Sequence, residues 1–251
     1  MAILKPFRAL RPTPDRAKEV SCVPYDVVDK SEVCEFIADN SVSFLRVTRA
    51  EAELPAGSDT SEAAVFARAR ANLESFIQQG ILETDPDDAL FLYQLTADGH
   101  VQTGIVGCCS LEEYEEGLIK KHEKVRPEKV EDRTRHLLAV GAQTGLILLA
   151  FRNTETIRDL IAAAATGPPI YDFECFDGIR QTVWRITETD AWEEAFDDVP
   201  ALYIADGHHR AESADLARKQ LRDESLVHTG TEDYNFVLAG VFPAEDLRIL
   251  A

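Results

Sequence analysis

Residues 202–221 read LYIADGHHRAESADLARKQL. Pro200 precedes ALYIA, a short apolar run suited to an interior strand, and Asp206 and Gly207 close it. From His208 onward Ala211, Ala214, Ala217 and Leu221 recur at helical spacing, while Asp215 stands one turn before Lys219, a pair expected on the outer face. A strand, a tight turn and a helix in so few residues form the repeating unit of an α/β or α+β domain.

The same alternation extends outward along the chain. SFLRVTRAE (43–51), ALFLYQLT (89–96), VQTGIVGCCS (101–110), LILLAF (146–151), QTVWRIT (181–187) and NFVLAGVF (235–242) read as strands. ADGH (97–100), with Gly99, reads as the turn of a hairpin between the second and third of these. Ser31 is expected to cap a short helix in VPYDVVDKSEVCEFIADN (23–40), and LPAGSDTSE (54–62) to be a loop. In EAAVFARARANLESFIQQGIL (62–82), Val65, Phe66, Ala69, Leu73, Phe76 and Ile77 mark one helix face. TETIRDLIAAAAT (154–166) is a further helix, closed by GPP, and residues 111–145 are densely charged and then helical. We expect residues 1–251 to form a single α/β region, with a possible N-terminal subdomain over residues 1–115.

With 251 residues, the chain can bury one large core or two small ones. Its opening, MAILKPFRALRP, meets a proline too early for a signal peptide, and no window approaches 18 uncharged apolar residues. A cytoplasmic protein without membrane partners is expected. The five cysteines include no C-x-x-C pair, so reduced core thiols are expected rather than disulfides or zinc. Against 45 acidic residues stand 26 basic ones, a net charge of -19 that repels nucleic acid. Such an excess of carboxylates also fits adaptation to high salt.

Chemistry gathers at the turn. A helix start presents unpaired N–H groups and the positive end of its dipole, and Gly207 lets an anion approach the backbone. Arg210 adds a fork of donors suited to phosphate oxygens. His208 and His209 can donate to that group or move protons, and Asp206 can accept a substrate proton or hold Mg2+. A plainer arrangement uses the same residues: Asp206 as helix cap, the histidines on backbone carbonyls. No Walker-type phosphate loop and no G-x-S-x-G occurs.

DGHHR followed by a small-residue helix resembles the phosphate-binding motif of the ParB/sulfiredoxin superfamily, closest to the free serine kinases within it. The wider series, PF-ALRP, VPYDVV, SFLRVTR, HEKVRPEKVEDR and IADGHHRAESA, resembles the domain-of-unknown-function 1015 family, often labelled SpoOJ/ParA/ParB/RepB-like. Members of that family usually run beyond LRILA, so a C-terminal portion is expected to be missing. The resemblance implies a ParB/sulfiredoxin-like mixed sheet with surrounding helices. The kinase branch implies a nucleotide or pyrophosphate donor, Mg2+ and a hydroxyl-bearing amino acid, with the motif carried by Asp206, Gly207, His208, His209 and Arg210. A catalytic glutamate also belongs to those kinases; local chemistry selects Glu123.

In so acidic a chain, KKHEKVRPEKVEDRTRH (120–136) concentrates cations, and His122, Glu123, Arg126 and Arg133 are its candidates for phosphate binding and base chemistry. A solvated helix face of alternating charge is the alternative. Tyr25, Asp26 and Arg46 are candidate substrate-binding residues, Arg46 and Arg49 being cations of an expected strand suited to a carboxylate or a phosphate.

The expected function is phosphoryl transfer by a small-molecule kinase that phosphorylates a hydroxyl amino acid such as serine with ADP, ATP or pyrophosphate. Two alternatives stay open: a ParB-like nucleotide-binding switch associated with DNA, which the charge disfavours, and a phosphatase or nucleotide hydrolase at the same site.

Overall fold

The computed structural model describes residues 2–55, 59, 61–175 and 177–248. Residues 56–58 and 60 of the expected loop, and 249–251 of LRILA, lie outside it. In chain order the elements are β1 (Leu4–Lys5), β2 (Leu10–Pro12), α1 (Ala17–Val20), α2 (Lys30–Ala38), α3 (Leu45–Thr48), α4 (Glu62–Gln78), β3 (Leu82–Thr84), β4 (Leu90–Ala97), β5 (His100–Ser110), α5 (Leu111–Glu116), β6 (Ile119–Lys120), α6 (Pro127–Val140), β7 (Ile147–Phe151), α7 (Glu155–Ala164), β8 (Tyr171–Glu174), β9 (Arg180–Ile186), α8 (Asp190–Asp197), β10 (Leu202–Asp206), α9 (His208–Glu224) and β11 (Phe236–Pro243). The class is α/β with a mixed sheet, as expected. Two compact units divide the chain: residues 1–9, 86–135 and 145–251 form one, residues 10–85 and 136–144 the other.

The first unit is built on a nine-stranded sheet, counted among the described residues, in the order β6-β10-β7-β11-β5-β4-β9-β8 with β1 pairing on β5. β10 runs parallel to β6 and antiparallel to β7, and β7 runs parallel to β11. Ile147, Leu149 and Phe151 of β7 are completely buried, so alternate residues of this central strand form the core. The β4–β5 hairpin closes through a two-residue loop whose Asp98 and Gly99 have φ of 50° and 74°, the left-handed pair of a type I′ turn. Ser110 accepts the amides of Glu112 and Glu113 to start α5, and Thr154 accepts that of Ile157 to start α7. Short strands such as β6 and β8, and helix α8, fall outside the sequence reading. Yet Trp192, Ala195 and Phe196 of α8 are buried at helical spacing, a signal the sequence does carry.

The second unit joins the β2–β3 ribbon to α1–α4 and the end of α6. Val47, Ala69, Leu73 and Phe76 lie in one core cluster, and Arg11 meets the buried Asp85 through Nη2 at 2.7 Å. His136 stands here too, its Nε2 3.2 Å from the Val47 carbonyl.

Two expectations are corrected in this unit. Residues 45–48 are helix α3, not a strand, because Leu45, Val47, Thr48 and Ala50 are all buried, a pattern strand alternation cannot give. Arg46 donates to the carbonyls of Ile37 (2.6 Å) and Asn40 (3.1 Å) at the end of α2, and Asn72 donates to the Arg46 carbonyl at 2.6 Å. The cap of α2 is Asp29, which accepts the Glu32 amide at 2.9 Å while the Glu32 carboxylate accepts the Asp29 amide at 2.8 Å. A carboxylate completes this capping box, and Ser31 contributes only its amide, at 2.7 Å. Among the described residues no helix is long and apolar enough to cross a membrane.

Candidate functional site

Parallel pairing sets up the site. Ile119 and Lys120 of β6 lie beside Leu202 and Tyr203 of β10, so both strands leave the sheet at the same end. Beyond β10 the chain turns through Gly207 into α9; beyond β6 it runs through residues 121–126 into α6. The two stretches meet there, although 83 to 86 residues separate their hydrogen-bonded partners along the chain.

Gly207 holds φ 95° and ψ 28° at the start of α9, and no side chain caps this helix. The amides of His208, His209 and Arg210 stand in its first turn, where the helix itself supplies no acceptor. A β-carbon on Gly207 would sit 3.0 Å from Cγ2 of Ile147, so turn and close approach both require glycine.

Asp206 does not cap the helix. Its carboxylate pairs with Nη2 of Arg210 one turn on, and Nη1 of Arg210 donates to the Leu146 carbonyl. The guanidinium therefore clamps the turn from inside, and Asp206 is two-thirds exposed. Nor do the described residues contain a group of three or more His, Cys, Asp or Glu placed to hold a metal ion. A carboxylate already paired with arginine is a poor sole ligand for Mg2+, so the donor set does not fit a resident cation.

Both histidines accept hydrogen bonds from the facing segment. The amide of His122 donates to Nε2 of His208 at 3.4 Å, and the amide of Arg126 to Nε2 of His209 at 3.1 Å. A ring nitrogen that accepts is unprotonated, so in the neutral ring the proton sits on Nδ1. In His208 this atom lies 3.8 Å from Oε2 of Glu123. His208 is 5% exposed and its ring meets that of His122 edge to face at 4.4 Å. Burial first, and the neighbouring His122 second, hold the His208 pKa below its ordinary value, against the pull of Glu123 and Asp206.

The predicted residues are thus partly assembled. His122, Glu123, Arg126, Asp206, Gly207, His208, His209 and Arg210 come together; Glu123 and Arg126 present exposed side chains. Arg133 lies further along α6, where its Nε donates to Asp132 at 2.7 Å. Tyr25, Asp26 and Arg46 belong to the second unit: the Tyr25 carbonyl accepts from Arg49 at 2.7 Å, Asp26 is exposed, and Arg46 is engaged as described. Asp215 does pair with Lys219, at 2.7 Å, but its carboxylate is buried and also pairs with Arg218 at 2.9 Å, so only the lysine of the expected outer-face pair is exposed.

Two neighbours escape the sequence reading. Tyr114 donates to Glu212 at 2.6 Å, and Lys121 lies 3.6 Å from both that carboxylate and the centre of the Tyr114 ring. Glu212 was accessible to reasoning, since it follows His208 by four residues and shares its helix face. Ser213 and Thr134 complete the support: Ser213 Oγ donates to the carbonyls of His209 (2.6 Å) and Val130 (3.1 Å), and Thr134 Oγ1 to that of Val130 (2.8 Å).

No curated protein and no solved structure matches the chain. The family described as "Protein of unknown function (DUF1015)" matches residues 4–251, the span that carries both strands and both helices of the site, and the chain belongs to that family.

Proposed function

We propose that the turn at Asp206–Arg210, with residues 122–126 laid against it, is a phosphoryl-transfer site, and that the protein is a kinase for a small hydroxylated metabolite such as free serine. The donor is a polyphosphate: ADP, ATP or pyrophosphate. One observation carries this reading. Both histidines of the motif accept amides from the segment that bears Glu123 and Arg126, which holds an exposed carboxylate and an exposed guanidinium beside an uncapped helix start.

In this reading the amides of His208, His209 and Arg210 take phosphate oxygens, and Arg126 neutralises the charge that spreads over them during transfer. Glu123 removes the proton of the attacking hydroxyl, with the Nδ1 proton of His208 turned toward its carboxylate. Glu123 suits the base better than Asp206, which Arg210 already engages. Arg210 shapes the turn, its Nη1 and Nη2 donating to the Leu146 carbonyl and to Asp206, and its remaining N–H donors add to the phosphate site. Mg2+ enters only with the polyphosphate. The likeness of DGHHR to the ParB/sulfiredoxin motif supports the same reading, while the net charge of -19 weighs against DNA as a partner.

The test is a thermal-shift screen of ADP, ATP and pyrophosphate with Mg2+, followed by incubation of each donor with serine and detection of phosphoserine. A ligand at 100 times its Kd stabilises the folded protein by about 2.7 kcal/mol. Glu123→Gln is expected to keep the donor shift and lose roughly 100-fold or more in turnover. No shift and no phosphorylated product with any donor would refute the proposal.

A further inference from the structure

Residues 121–125 join β6 to α6 without regular secondary structure, and Arg126 enters α6 with its carbonyl accepting the Val130 amide at 3.1 Å. Contacts to three residues of α9 hold this segment: Lys121 to Glu212, His122 and Glu123 to His208, and Arg126 to His209. The His122 contact, at 3.4 Å, is at the long end for an amide donor and holds the chain weakly by itself. The Lys121 contact is built differently. Its carboxylate partner is fixed from the interior by the hydroxyl of Tyr114, a side chain only 2% exposed, and the same ring offers its face to the lysine ammonium. Burial, then the hydrogen bond to Glu212, raise the pKa of the Tyr114 hydroxyl, which therefore stays protonated and a donor.

We propose that Glu212, fixed by the Tyr114 hydroxyl, is a positioning residue: through Lys121 it sets where Glu123 and the His122 amide stand against His208. The functional meaning rests on the reading of Glu123 as base, but the geometry does not, and it can be tested without substrate. Lys121 is two residues before Glu123, and a residue of extended chain spans about 3.3 Å. Releasing Lys121 therefore removes an anchor close to the base and leaves the His122 and Arg126 amides to hold it against α9. A buried tyrosine hydroxyl turned to a helix carboxylate that in turn captures a half-exposed lysine is a costly arrangement for surface packing alone, since the lysine gives up side-chain freedom.

The test uses the full chain. Lys121→Met removes the half-exposed charge while keeping an apolar chain over the Tyr114 ring, Glu212→Gln keeps an oxygen for Tyr114 but not the charge, and Lys121→Arg is the conservative control. Amide hydrogen exchange at His122 and Arg126, and the imidazole 15N spectrum of His208, are the readouts. Lys121→Met and Glu212→Gln are expected to speed exchange at both amides roughly 2- to 5-fold, the factor a partly exposed ion pair supplies, with β7 amides unchanged. The His208 spectrum is expected to move from one Nδ1-protonated tautomer toward an average, and Lys121→Arg to restore both signals. Unchanged exchange and an unchanged His208 spectrum in both variants would overturn the proposal, as would an equal acceleration in β7, which would mean a global loss of stability. Failure to find a phosphoryl donor leaves these outcomes intact, so the two ideas fail separately.

Discussion

Replacing Gly207 by alanine strains the protein twice over. With φ at 95°, the new residue must hold a left-handed backbone, which costs an L-residue about 1–2 kcal/mol. Its β-carbon also arrives 3.0 Å from Cγ2 and 3.2 Å from Cβ of Ile147, a completely buried residue in the middle of the sheet that has nowhere to retreat. Overpacking of this kind costs about 1–3 kcal/mol more. Arg210 Nε, at 3.2 Å, gives little relief, because Asp206 and the Leu146 carbonyl hold its guanidinium. The expected total is about 2–5 kcal/mol, or a fall in Tm of about 4 °C or more at this chain length. Both tryptophans, Trp184 and Trp192, lie in the first unit, so fluorescence-detected melting reports on the unit that contains the turn. Gly230→Ala is the matched control: its φ is 89°, but nothing lies within 4 Å of the added carbon, so only the backbone cost remains. Equal losses at the two positions would refute the packing argument against Ile147, and no loss at either would refute the left-handed strain itself.

Further outcomes are expected elsewhere. Arg11→Met deprives the buried Asp85 carboxylate of its guanidinium and is expected to cost about 3 kcal/mol in chemical denaturation; a loss below about 1 kcal/mol would show the pair to be dispensable. Because the folded His208 binds its proton less readily than the unfolded chain, stability is expected to fall as pH drops through the ordinary histidine range near 6.5 and to level off once the folded group has titrated. Denaturant midpoints measured from about pH 7.5 to about pH 5 should show that slope, and it should flatten in His208→Gln; an identical slope in the variant would assign it to other groups. With a net charge of -19, self-repulsion is expected to be relieved by salt, raising Tm between about 0.1 M and about 1 M KCl as the screening length falls to a few ångströms. Equal melting in both would reject adaptation to high salt.

Wherever neighbours in sequence decide a structure, the residues announce it. The apolar face of α4, the Asp98–Gly99 hairpin and the passage from β10 through Gly207 into α9 all rest on periodicity, turn chemistry or a left-handed glycine, each written within a few residues. DGHHR could be read as a strand-to-helix turn for the same reason. What stayed hidden depends on partners far along the chain. Arg46 and Arg49 looked like strand residues because their acceptors, the carbonyls of Ile37 and Tyr25, are supplied by folding rather than by spacing. Asp206 had the credentials of a helix cap until Arg210 was seen to engage it. That His208 faces Glu123, and that Glu212 holds Lys121, follows from the parallel register of Ile119 with Leu202, a single pairing that sends two remote stretches out of the same end of the sheet. Local sequence determined the strongly periodic elements and the residue types at the turn; the tertiary structure alone decided α3 and which of those residues meet, because a sheet register is a contact between segments that carry no record of each other in their own spacing.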